Sequence, residues 1–239
     1  MTNASLALQP LADGLWHVED RVRLAPGIVF PLRSTVIDTG EGLAIVSPLA
    51  FDDATAKAIE ALGEVRHLIS PCLFHHLSIG DAKARWPEAT LYAPPGLGKK
   101  RPDLAIDAIL GEAPVPGLEA TAIAGMPALQ ETVFLHRESR TLVTTDLVFN
   151  MKHVESRVTR FVLKYVSRAY GRVAQSGLLK WMTKDREAAA ASLETVLGLP
   201  FERLVMAHGE IVEAHAKDQL ADATRWMRGG RPVAALPSG

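Results

Sequence analysis

The stretch Arg66 to Pro87, RHLISPCLFHHLSIGDAKARWP, constrains this chain more than any other. Its opening, RHLIS, is a short apolar run of the kind that fills a buried strand. Pro71 cannot donate to a central ladder and marks the end of that strand. Two adjacent histidines, His75 and His76, follow. A helix from about Ser78 to Trp86 comes next and is stopped by Pro87. Strand, histidine-bearing loop and helix, in that order, form the unit with which an open α/β sheet builds a ligand site at its strand ends.

The flanking segments supply the rest of a sheet. Leu15 to Val22 alternates as an edge strand. Arg33 to Ile37 and Leu43 to Ser47 are β-branched runs joined by Asp38-Thr39-Gly40-Glu41-Gly42, which is turn chemistry and predicts a hairpin. Asp52 or Asp53 caps a helix carrying Ala56, Ile59 and Leu62 at helical spacing, and Gly63 ends it. A strand spans Thr90 to Ala93. Leu97 to Pro116 lacks periodicity and reads as a long surface loop with one short helix. Leu118 to Ile123 is a strand, and Glu131 to His136 with Thr141 to Phe149 forms a second hairpin. Val154 to Val173 reads as an amphipathic helix, with Val154, Val158, Phe161, Val162, Tyr165, Val166, Ala169 and Val173 on its apolar stripe and Arg157, Arg160, Lys164 and Arg168 beside it. A helix runs from Asp185 to Leu197, a strand over Arg203 to Ala207 and a closing helix over Ile211 to Met227. The order predicts a mixed sheet pair with helices outside, as one domain over residues 1–239, its Gly/Pro-rich tail frayed from Gly229.

Bulk properties narrow the class. The chain is 48% hydrophobic with 26 basic and 27 acidic residues, net charge −1, so no bulk attraction to nucleic acid or anionic membrane is expected. No apolar stretch is long enough to span a bilayer, and the N-terminus lacks the layout of a signal peptide. Cys72 is the single cysteine, which suits a cytoplasmic protein. No sequence feature sets an oligomeric state.

Three places put a potential metal ligand beyond or late in a predicted strand: His75-His76, Asp146 in TLVTTDLVF, and His208 in MAHG. Imidazole and carboxylate together suit zinc, iron or manganese. Taken singly, the histidines read equally well as loop residues, His208 as a helix-entry residue and Asp146 as a turn cap. A carboxylate in an otherwise apolar strand nonetheless needs partners. Cys72 is either a soft ligand or inert packing. His153 lies just after the Asp146 strand and can reach the same mouth. The basic face of the Val154 helix is either a solvated face or an anion-attracting one.

The chain resembles the metallo-β-lactamase superfamily over nearly its whole length, as a divergent branch. STVIDTGEGLAIVSP resembles that family's opening strands. TLVTTDLVFN resembles the strand bearing its metal-bridging aspartate, and KDREAAAASLETVLGLPFERLVMAHGEIV resembles its late helix, strand and glycine-histidine-glycine loop. The main histidine-x-histidine-x-aspartate-histidine motif is degenerate here. With His76 at the final histidine, Pro71 and Leu73 replace the first two histidines and His75 the aspartate, while Met126 stands where a later histidine is expected. One half of a two-metal site is therefore missing.

The resemblance implies an α/β fold, the αββα sandwich, metallo-β-lactamase-like. It implies a reduced site in which His75, His76, Asp146 and His208 hold one divalent metal ion, zinc before iron or manganese. His75 and Asp146 would take the catalytic roles, His75 as fourth ligand or proton shuttle. The expected activity is metal-dependent hydrolysis of a small-molecule ester, thioester, lactone or amide. The alternative is an inactive, metal-free relative binding a small molecule or a partner protein. A redox role for bound iron is a third possibility. The same resemblance would place Tyr165, Tyr170 and Trp181 along a substrate groove.

Overall fold

A computed structural model describes residues 6–154, 156–166 and 169–229. The expected frayed tail lies outside these from residue 230 onward, as does Arg168. A seven-stranded sheet runs β1 (Leu8–Ala12), β2 (Leu15–Ala25), β3 (Ile28–Asp38), β4 (Leu43–Val46), β5 (Val65–Ile69), β6 (Thr90–Ala93), β7 (Ala108–Ile109), with each strand beside its neighbours in sequence. β1 to β4 are antiparallel, whereas β4, β5, β6 and β7 are parallel. The helices α1 (Asp53–Glu60) and α2 (Ile79–Arg85) make the first parallel crossovers. α3 (Leu97–Lys100) is a single turn before β7. A second sheet has the order β13 (Arg203–Val205), β10 (Thr141–Val143), β9 (Thr132–His136), β8 (Glu119–Ala122), with β10 parallel to β13. β11 (Phe149–Asn150) and β12 (Val173–Ala174) form a small third sheet.

The period-two alternation of the strands sorts their side chains into layers. Ile37, Ala44, Val46 and Ile69 from the large sheet meet Phe134, Val143 and Val205 from the second sheet between the two. Their neighbours Val36, Ile45 and Leu68 face outward onto Ala56 and Ile59 of α1 and Ile79 of α2. On the far side, Val133, Leu135, Leu142 and Leu204 pack on Leu193 and Val196 of α6 (Arg186–Gly198) and Leu220 of α7 (Ala216–Thr224). The result is the expected αββα sandwich. Each fully buried Leu, Ile or Phe in it contributes roughly 1.5–3 kcal/mol.

Several elements depart from the expected pattern. β2 is not an edge strand: β1 covers it, and Pro10 sits in β1, where an outer strand tolerates it. The Thr141 to Phe149 strand breaks after Val143. Both oxygens of the Glu131 carboxylate accept backbone N–H groups, from Thr145 at 2.7 Å and Asp146 at 2.9 Å, and draw the chain out of the ladder. The helix expected over Val154 to Val173 shrinks to α4 (Arg157–Phe161) and one π turn, Val162–Val166. Of its intended stripe, Val158, Phe161, Tyr165 and Val166 are exposed, whereas Val154, Ala169 and Val173 are buried. The anchor is instead Thr159, whose hydroxyl donates to Gly27 O and accepts from Val29 N, docking the segment on the β2–β3 turn. The closing helix begins only at Ala216, because Val212 pairs back onto Leu204. α5 (Gly177–Met182), capped by the Ser176 hydroxyl on Leu179 N, has no counterpart in the sequence reading.

Candidate metal centre

Four groups arrive at one end of the sandwich, each just past a parallel strand. Ser47 follows β4, the Cys72–His76 loop follows β5, Asp146 follows β10 and His208 follows β13. β4 and β5 are parallel neighbours in one sheet, and β10 and β13 in the other. Side chains leaving the carboxyl ends of such strands converge where the ladders stop, which is where open sheets place ligands.

The carboxylate of Asp146 is the centre of the group. His75 Nε2 lies 3.4 Å from one of its oxygens and His208 Nε2 lies 3.3 Å from the other. Cys72 Sγ is 3.4 Å from the oxygen that faces His75. One ligand atom from each of Cys72, His75 and Asp146 lies within 4.8 Å of the others. The outer nitrogens of both rings are also tied. His75 Nδ1 lies 2.6 Å from Ser47 Oγ. His208 Nδ1 lies 2.7 Å from Pro31 O, and since a carbonyl only accepts, Nδ1 carries the proton. Phe30 and Phe149 hold the His208 ring edge-on.

That tautomer has a consequence. A neutral His208 turns the bare lone pair of Nε2 toward a carboxylate oxygen, an arrangement that repels unless a cation stands between them or the ring is protonated. Donors about 2.0–2.1 Å from a tetrahedral ion are separated by about 3.3–3.4 Å. Each His–Asp separation matches that edge, but each is made to a different oxygen of Asp146; the donors that lie mutually close and fit a divalent ion are those of Cys72, His75 and Asp146, with His208 at the second carboxylate oxygen. Burial alone would raise the pKa of Asp146. The His75 charge and the hydrogen bonds of His208 and His75 outweigh it and hold the carboxyl well below the usual carboxylate range. Burial, and then Asp146, push the Cys72 thiol up.

Of the sequence-predicted residues, the structure brings together His75, Asp146, His208 and Cys72. His76 turns its Nδ1 to Arg101, 3.2 Å from Nη1, and lines the same cleft. His153 is exposed and pairs with Glu210. Tyr165 and Trp181 are exposed, and Tyr170 packs against the Met151, Val154 and Leu163 cluster. The wall they were expected to form comes from Ser176 and Leu178 at the start of α5.

Three supporting residues escaped the sequence reading. Ser47 is one. Glu131 is fully buried, its carboxyl pushed up to about 8 by burial and by Asp146 against the two N–H bonds it accepts. Arg33 fastens the His208 loop to β3: its guanidinium donates to Met206 O at 2.5 Å and Gly209 O at 2.7 Å while paired with Glu19 at 2.6 Å. The signal for both Glu131 and Arg33 was a charge beside a strand of apolar residues, a position that burial permits only with partners.

No protein-family profile and no curated protein sequence matches the chain. Solved structures do. It is similar to a metallo-β-lactamase from Pontibacter korlensis, at 12% identity and TM-score 0.63, over 94% of this chain and 99% of that one. The metallo-β-lactamase FIM-1 from Pseudomonas aeruginosa, in its mono-zinc form, matches at 13% identity and TM-score 0.59, over 97% and 99%. The Flv1 flavodiiron core from Synechocystis matches at 14% identity and TM-score 0.64, over 94% of this chain and 61% of that one. The chain therefore has the metallo-β-lactamase fold.

Proposed function

We propose that the protein is a single-metal hydrolase, with His75, Asp146 and His208 holding one zinc ion, Cys72 beside them, and an ester, thioester, lactone or amide as substrate. The observation that carries this reading is the convergence of two imidazole Nε2 atoms on one buried carboxylate, with the outer nitrogens of both rings already tied. Metal-binding histidines are held in this manner by a second partner. The similarity to a fold neighbour in a mono-zinc form supports a one-ion site.

A zinc ion bound there supplies polarisation of the acyl carbonyl and a water acidic enough to ionise near neutral pH. The chain supplies the rest. Asp146 stays ionised, Ser47 and Pro31 fix the two rings, and apolar side chains line the cleft above them. His76 lines the cleft, and its pKa is lowered by burial, Lys100 and Arg101, so at neutral pH its ring is neutral; Arg101 donates to Nδ1, so Nε2 carries the proton and is the ring's hydrogen-bond donor. Hydrolysis joins the oxygen of water to the carbonyl carbon and breaks the bond to the leaving group, which departs with a proton. The reading includes a cytoplasmic setting, where buried Cys72 stays a thiol.

The test is metal content. Protein purified without added metal, and then titrated with zinc, is expected to hold one equivalent, and Asp146→Ala and His208→Ala to hold none. A parent that neither carries nor binds zinc refutes the hydrolase reading and favours a metal-free binding protein.

A further inference from the structure

The cleft above the centre has a volume of 460 Å³, which suits a small molecule. Its walls are apolar. The β2–β3 hairpin contributes Phe30 and Leu32, β11 contributes Phe149, and α5 contributes Leu178. The polar groups of the lining are largely spoken for. Ser176 caps α5, Ser47 is committed to His75, and Asp146 to the two histidines. Among the described lining residues none is Lys or Arg. The cations bound to the adjoining loop lie outside the lining and are already partnered: Lys100 donates to Leu73 O and lies over the Phe74 ring, and Arg101 sits behind His76, donating to its Nδ1 and carbonyl, and pairs with Asp103. The rim continues the apolar surface into solvent, with Phe74 42%, Leu77 72% and Leu178 61% exposed. Contiguous exposed apolar surface around a polar floor marks a binding site.

A ligand bearing a carboxylate would meet no free cation here and would face Asp146. A ligand that is neutral and apolar loses little on leaving water and gains the full burial of its chain. We propose that this cleft takes a neutral acyl compound whose apolar chain or ring lies against Phe30, Leu32, Phe149 and Leu178, and that it rejects anionic ligands. The acyl group in this proposal rests on the hydrolase reading; the choice of a neutral apolar ligand does not.

The experiment uses full-length protein treated with a chelator, so that no ion captures a carboxylate. Nile red, a neutral apolar dye, reports occupancy by its fluorescence. Octan-1-ol and octanoate, equal in chain length and different in charge, compete with it. Octan-1-ol is expected to displace the dye at a concentration at least about tenfold below octanoate, and to exceed hexan-1-ol by roughly fourfold per added methylene. Leu178→Lys, at an exposed rim position that leaves the core intact, is expected to weaken the alcohol and to improve octanoate about two- to fivefold. Octanoate competing as well as octan-1-ol, or no displacement by the alcohol, overturns the proposal. With zinc restored, kcat/KM for p-nitrophenyl esters is expected to rise from acetate to octanoate, and a flat series also overturns it. Displacement by octan-1-ol with no ester hydrolysed removes the hydrolase reading and keeps the cleft's preference. Ester hydrolysis with no chain-length dependence and no displacement does the reverse.

Discussion

Ser47 Oγ lies 2.6 Å from His75 Nδ1, and Ser47 makes that contact from left-handed backbone, φ 57°. A non-glycine residue there costs roughly 1–2 kcal/mol. The fold carries that strain at the residue that orients a candidate ligand. Ser47→Ala is expected to weaken zinc binding about 10- to 100-fold, as loss of an outer-shell partner does. Ser47→Gly is expected to weaken it equally but to be about 1 kcal/mol more stable than the alanine variant, because glycine accepts this φ. Chelator competition and thermal unfolding measure the two effects separately. Unchanged zinc affinity in Ser47→Ala would refute the orienting role.

His75 and His76 divide the work between them. His75 faces Asp146, while His76 turns its Nδ1 to Arg101. His75→Ala is expected to abolish stoichiometric zinc, whereas His76→Ala keeps it and lowers kcat by about 10²- to 10³-fold, the range of a lost donor to developing charge. Metal analysis together with steady-state kinetics checks both. Loss of metal in His76→Ala would restore it to the ligand set.

Neighbouring histidines show what a sequence can and cannot carry. The strand ends that bring residues 75, 146 and 208 together are legible, because Pro71 and the β-branched runs locate them and parallel strands send their loops to one edge. Which of two adjacent rings turns inward is set by loop backbone, and no periodicity encodes it. Ser47 was invisible for a similar reason: it was read as the last residue of a strand, and only its φ turns the hydroxyl toward His75. The Val154 stripe failed differently. Amphipathic spacing reports that an apolar face exists, not that a core waits for it, and here Thr159 docks the segment while Val158, Phe161, Tyr165 and Val166 stay in solvent and only the ends of the stripe, Val154, Ala169 and Val173, are buried. The layers follow the strand period, since inward and outward residues alternate in β4, in β9 and at Val36 and Ile37 of β3.

That exposed stripe makes a prediction. Phe161 is 60% exposed, so Phe161→Ala is expected to change stability by less than about 1 kcal/mol. A core phenylalanine in the same change costs about 3–5 kcal/mol. Denaturant unfolding distinguishes the two, and a loss in the core range would show that the stripe is packed after all.

Glu131 holds the Asp146 loop by accepting two backbone N–H groups at once. Glutamine keeps one acceptor and presents an NH₂ to the other donor, leaving a buried N–H unpaired. Glu131→Gln is therefore expected to cost about 1–3 kcal/mol, seen as a Tm lower by roughly 2–4 °C for each kcal/mol. Zinc binding should weaken with it, since Asp146 loses its fixed position. A variant of parental Tm would mean the loop is held by other contacts.

Gly209 tests whether the backbone beside His208 is as constrained as the ring itself. Its φ is +95°, and a Cβ built there falls 2.2 Å from Asn150 O and 2.5 Å from Asn150 C. Both are main-chain atoms, and Asn150 N also donates to His208 O, so neither side can yield without moving the histidine. Gly40 is a matched control: its φ is +77°, with nothing within 4 Å of a built Cβ. Gly40→Ala should show the conformational cost alone, about 1–2 kcal/mol, with zinc binding intact. Gly209→Ala carries the same cost plus the clash, so more than about 3 kcal/mol is expected, with zinc lost. If both variants behaved alike, the close approach of Asn150 to Gly209 would have no part in setting His208 against Asp146.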